Sequence, residues 1–185
     1  VKLKLATGNL GVMAATNDVI RDTERWVLFW LYLCIAICVY ASFRSFAGMV
    51  CILVPLALVS VFSYAVMVFL EIGVKVSNVA VAAFAAGIGV DYGIYIYSVL
   101  EECVSAKGMT LRKAYEQTLH QTGKAVLFTS LALAASVCTW VMSGLQFQVD
   151  MGILLTIMFL ANAVAAVVLL PAFAAFLFKI APQKV

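Results

Sequence analysis

The sequence predicts an all-α membrane protein: a five-helix transmembrane bundle with a short cytoplasmic amphipathic helix. Three observations carry that fold class. Of 185 residues, 65% are hydrophobic and 11% charged, against about 45–50% and about a quarter in soluble domains. The mean hydropathy is +1.10. Residues 26–43, 45–70, 125–149 and 151–178 contain no Asp, Glu, Lys or Arg, and crossing the hydrocarbon core as a helix takes about 20 apolar residues. Too little polar surface remains to cover a water-soluble globule. Composition thereby excludes a disordered chain, a nucleic-acid-binding module, a secreted disulfide scaffold and a soluble enzyme. Barrel strands are unsuitable because the runs lack period-2 alternation.

Residues 1–25 read as the end of an outer domain and its lead-in helix. Val1, Leu3 and Leu5 alternate with Lys2 and Lys4, a strand pattern that Thr7-Gly8-Asn9 ends. Ala14, Ala15, Asn17, Asp18, Arg21 and Asp22 then follow a helical pattern towards Trp26. With no initial Met and no signal-peptide charge pattern, the chain is expected to be a fragment of something longer.

The bundle covers 26–178, with spans expected at 26–43, 48–70, 77–99, 125–144 and 151–177. The tight connection 44–47 makes the first two spans an antiparallel pair. Residues 71–76 form a short outer turn in which Glu71 and Lys75 stand at i,i+4, as a solvated turn or a pair. Pro55 and Pro171 fall inside spans, where proline is tolerated and bends the helix. The one sizeable polar segment is the cytoplasmic connection 101–124. There Leu111, Tyr115, Leu119 and Thr122 share a stripe, with Arg112, Lys113, Glu116 and Gln117 elsewhere. That pattern predicts a helix along the inner membrane face, with Thr110 as N-cap, Gly123 as stop and His120 as a surface residue. Residues 179–185 are a cytoplasmic tail.

Charge orients the bundle. With the N-terminus outside, the inner side holds Arg44, Lys107, Arg112, Lys113, Lys124, Lys179 and Lys184, and the outer side Arg21, Arg25 and Lys75. The positive-inside rule favours that arrangement, with the C-terminus in the cytoplasm. Trp26, Trp30 and Trp140 suit interfacial anchors or packing. Cys34, Cys38, Cys51, Cys103 and Cys138 form no CxxC motif and read as packing residues.

Chemistry concentrates at Gly87-Ile88-Gly89-Val90-Asp91-Tyr92-Gly93 in the third span. Asp91 lies roughly 5 Å from mid-depth at 1.5 Å per residue. An aspartate near the centre costs about 2.5–3.5 kcal/mol on insertion scales, so such acids usually face the bundle interior and mark an ion or proton path. Tyr92 adds a hydroxyl. Gly89 and Gly93 form GxxxG and, with Ala82, Ala86 and Gly87, keep the helix thin enough for close approach. The alternative is a structural aspartate bonded to Thr129, Ser130, Ser136, Thr139 or Asn162. Enzymatic chemistry is not expected: an intramembrane aspartyl protease needs a second acid, yet Asp150 stands at the outer boundary. A serine protease needs a membrane histidine, and no His or Cys cluster suits a metal or haem.

The stretch Gly87 to Tyr95 resembles the acid-bearing helix of resistance-nodulation-division (RND) transporters, in the hydrophobe-exporter branch related to mycobacterial lipid exporters. The resemblance extends over Ala6-Thr7-Gly8-Asn9, Ala14-Ala15-Thr16-Asn17, Phe43-Arg44-Ser45, Thr122-Gly123-Lys124, Thr139-Trp140, Phe147 to Gly152 and Leu169-Leu170-Pro171-Ala172. It implies the C-terminal membrane half of a permease, with these spans as the second to sixth helices of that half. It further implies export of hydrophobic or amphiphilic compounds from a bacterial inner membrane. The driving force would be the proton-motive force, with no cofactor. By resemblance, Asp91 and Tyr92 are the proton relay, facing an equivalent pair from the N-terminal half of the same permease. The other partners implied are membrane lipids, a hydrophobic substrate and further copies in a homo-oligomer. Relatives commonly carry threonine where this chain has Ala132, so Ser136 or Thr129 takes over that hydroxyl, with Asn162 as further polar support. The competing reading is a sterol-sensing-like or assembly domain in which the acid is structural and nothing is transported.

Overall fold

The computed structural model describes residues 9–71 and 76–180, with side chains over 26–71 and 81–177. The alternation at 1–5 and the Lys75 partner of Glu71 lie outside these residues. Helix α1 runs from Asn9 to Phe43 without interruption, α2 covers Phe46–Phe69, and α3 covers Val76–Glu101 with a π-helical turn at Glu102–Ala106. Next come α4 (Leu111–Thr118), a π turn (Leu119–Gly123) and α5 (Lys124–Cys138), which ends in a 3-10 turn at Thr139–Met142. Helix α6 covers Gln146–Val164, a π turn follows at Ala165–Leu169, and α7 covers Leu170–Ile180. No strand occurs among the described residues. Five stretches among the described residues are long and apolar enough to cross a membrane: Trp26–Phe43, Phe46–Phe69, Val81–Ala106, Leu111–Met142 and Gln146–Leu177. The protein is an all-α membrane bundle.

The helix boundaries follow from local chemistry. Arg44 takes a left-handed backbone with φ 48°, and its N–H donates to the Tyr40 carbonyl at 2.8 Å. That geometry closes α1 as an αL cap does. Ser45 then caps α2, its hydroxyl accepting from the Gly48 N–H at 3.4 Å. Thr110 has the extended backbone of an N-cap, and its carbonyl accepts from the Ala114 N–H at 3.0 Å, but its side chain makes no capping bond.

Gly123 departs from expectation. Its φ of −59° and ψ of −39° are ordinary right-handed helix angles, and glycine ends a helix only when it turns left-handed. The chain therefore passes through the π turn into α5 as one rod from Leu111 to Met142, rather than stopping after the amphipathic segment. The missing side chain serves packing instead: a Cβ there meets Leu119 Cδ2 at 3.1 Å.

Helix α3 is the centre of the bundle, packed on α1, α2 and α6. Ile96, Tyr97 and Leu100 are fully buried. The Tyr97 ring lies edge-on to Phe43 with centroids 5.1 Å apart, and it fills the space that a side chain at Gly48 would need, 2.7 Å from the Cβ position. Helix α5 packs chiefly on α6, where Gly152 accommodates Trp140 with 2.9 Å from a notional Cβ to the Trp140 Cβ. All five cysteines are free thiols, with Cys51 and Cys103 buried.

Pro171 brings a second departure from a regular span. It lacks the N–H that an α-helix would aim at the Val167 carbonyl, and the π turn at Ala165–Leu169 ends two residues before it. The Tyr115 hydroxyl crosses from α4 and donates to Val167 O at 3.1 Å. A side chain on a different helix thus supplies the missing donor.

Candidate functional site

Two opposite sides of α3 build the site. One side is locked into the bundle. Asn162, 3% exposed on α6, donates from Nδ2 to the Ala85 carbonyl at 2.7 Å. Its Oδ1 lies 2.7 Å from where a Gly89 Cβ would stand, as does Leu56 Cδ1. One turn on, a Cβ at Gly93 would meet Ile52 Cγ2 at 2.9 Å. The GxxxG pair therefore admits α2 and α6 to the backbone of α3, the use small residues have in membrane helices.

The other side is exposed. Phe84, Gly87, Asp91 and Tyr95 recur at helical spacing and face outward. Nothing lies within 4 Å of a notional Gly87 Cβ, so this glycine leaves open space one turn before Asp91. Asn162 is held on the locked side and is not brought to the carboxyl group. Tyr92, next to Asp91, turns inward and is 4% exposed. Its buried hydroxyl has no hydrogen-bond partner, and the polar side chains near enough to act on it are Thr129 and Asp91.

On α5, Thr129, Ala132 and Ser136 are exposed, as is Thr139 in the 3-10 turn that ends it. The Thr129 hydroxyl donates within its own helix, to the Ala125 and Val126 carbonyls at 3.0 Å each. Thr139 donates to Ser136 O at 2.7 Å. Ser130 faces inward and is 1% exposed. Asp150 is 6% exposed and accepts from Gln146 Nε2 at 3.0 Å. The arrangement offers an exposed carboxyl group beside a buried phenol whose hydroxyl has no hydrogen-bond partner. Phe84 and Tyr95 escaped the reading of the sequence, although their i±4 and i±7 spacing from Asp91 carries the signal.

Comparison with known proteins agrees with this architecture. A membrane protein of Methanocaldococcus jannaschii is 23% identical over 148 residues, which is 80% of this chain and 38% of the relative. The chain thus spans under half of the length of that relative. The sequence model of the MMPL family matches residues 5–184. That match takes in every one of the five spans, and the chain belongs to the MMPL family of membrane proteins.

Proposed function

We propose that this chain is the membrane half of a proton-driven RND-type exporter of hydrophobic or amphiphilic compounds. Asp91 carries the proton and Tyr92 orients it. One observation carries the reading: a carboxyl group near mid-span stands on the outer face of its own half, beside the space that Gly87 leaves open. Facing lipid, such a group costs about 2.5–3.5 kcal/mol. Protein or water must therefore cover it in the working molecule. The partner fitting that need is the N-terminal half of the same permease, presenting an acid-bearing helix of its own. In the cycle, the Asp91 carboxylate accepts H⁺ from the outer side, becomes neutral, and returns the proton to the inner side after the halves shift. The unpartnered Tyr92 hydroxyl is free to bond the group that the partner brings, and Thr129 and Ser136 extend the polar stripe.

No covalent step is involved, so the chain is not an enzyme and needs no cofactor beyond the proton-motive force. The charge distribution supports a periplasmic N-terminus and a cytoplasmic C-terminus in a bacterial inner membrane. Substrate contacts fall mainly to the periplasmic portion of the whole permease.

The test is Asp91→Asn in the intact protein, reconstituted in vesicles with an imposed pH gradient. Gradient-driven export should drop to background while elution profile and Tm stay unchanged. Tyr92→Phe should give a partial loss. Undiminished export by a folded Asp91→Asn protein refutes the relay.

A further inference from the structure

A trough with one charged end runs along α2, α6 and α7. Between α2 and α6 a groove of about 620 Å³ is lined by Leu58, Phe62, Ile157 and Leu160 among others. It shares Leu169 with a groove of about 400 Å³ on α7. Through Val168 it also meets a groove of about 370 Å³ between α4 and α7, lined by Leu111, Arg112, Tyr115 and Pro171. The three form one surface. No residue of α3 or α5 lines it, so a partner covering the Asp91 face leaves it open.

Its chemistry is one-sided. Among the described residues Arg112 is the only charged one lining it, and exposed Lys113 follows it. Tyr115, the other polar group at this end, already spends its proton on the Val167 carbonyl. Arg112 pairs with Glu116 at 3.6 Å, an i,i+4 pair in which both side chains are exposed. Such pairs are weak, so a phosphate oxygen can compete for the guanidinium. Length fits as well. One leaflet of hydrocarbon is about 15 Å deep, roughly ten residues of helix rise. A chain descending from the level of Arg112 beside Ala172 therefore ends near Ala161, inside the largest groove.

We propose that this trough binds an anionic phospholipid, with one acyl chain along α6–α7 and the phosphate on Arg112. The proposal stands apart from the proton reading, and Asp91→Asn should leave lipid retention unchanged.

The test is native mass spectrometry of the intact membrane protein, titrated with dioleoylphosphatidylglycerol or dioleoylphosphatidylcholine. Wild type should retain the glycerol lipid in preference. Arg112→Gln should weaken that lipid about fivefold, the effect of one basic residue at a membrane surface, and leave the choline lipid unchanged. Ala172→Trp, which fills the trough, should weaken both; if it fails to fold, Leu58→Trp at the far end serves instead. Equal retention of the two lipids by wild type overturns the proposal, as does no retention because protein occupies the trough. So does an Arg112→Gln protein that keeps the preference, or a folded tryptophan variant that binds as before.

Discussion

A Cβ added at Gly89 stands 2.7 Å from both Asn162 Oδ1 and Leu56 Cδ1, while one added at Gly87 meets nothing within 4 Å. Two glycines that look alike in the sequence thus do different work, and alanine at each separates them. Gly89→Ala should destabilise the bundle by about 1–3 kcal/mol, the usual cost of overpacking, read as a lower Tm in detergent. Gly87→Ala should leave the Tm unchanged and lower export in the intact permease, because the proposed partner half would use its open space. Equal Tm values for the two variants would contradict this division. Asn162 belongs to the same account: its amide is committed to the Ala85 carbonyl, so its contribution is to hold α3 from behind.

At the scale of the helix, prolines and π turns determine how the spans engage one another. Pro171 withholds an N–H from the Val167 carbonyl, and Tyr115 supplies the donor from α4. The amphipathic segment is thereby tied to the irregular stretch of the last span. Tyr115→Phe should cost about 1 kcal/mol, the net worth of a typical hydrogen bond. In a Pro171→Ala background the backbone N–H returns and that cost should fall towards zero. A double-mutant cycle of thermal unfolding reads the coupling, and equal costs in the two backgrounds would show that the helices are tied some other way. Through Gly123 the chain stays helical, so α4 and α5 form one continuous rod that also carries Thr129.

For the molecule as a whole, the proposed relay demands that the stability of this half and its function pull in opposite directions. With the Asp91 face uncovered, the half expressed alone exposes a carboxyl group to lipid or detergent. Asp91→Leu should then stabilise the isolated half by up to about 3 kcal/mol on insertion scales. In the intact permease the same change should abolish export and bring no such gain in Tm. Thermal unfolding of the two forms side by side checks it, and an isolated half indifferent to Asp91→Leu would mean that the acid is already sheltered within its own chain. The trough on α2, α6 and α7 lies off this face, so the proposed proton movement and the proposed lipid contact are separable in the same molecule.

The spans were legible in the chain itself, because a run such as 151–178 with no charge leaves water no way to solvate the helix and makes membrane burial the stable outcome. Asp91 stood out for the matching reason: one charge in an apolar helix carries a large insertion cost. The direction of each side chain around α3 was not. Gly87 and Gly89 are separated by 200° of helical rotation, and only the docking of α2 and α6 decides which of them is covered. Tertiary structure alone also assigned Asn162 to the covered side, carried the helix through Gly123, and paired Tyr115 with the Val167 carbonyl that Pro171 cannot serve. Hydropathy is a property of a segment and is written in its order of residues. A contact between helices depends on rotation and depth, which exist only once the bundle has packed.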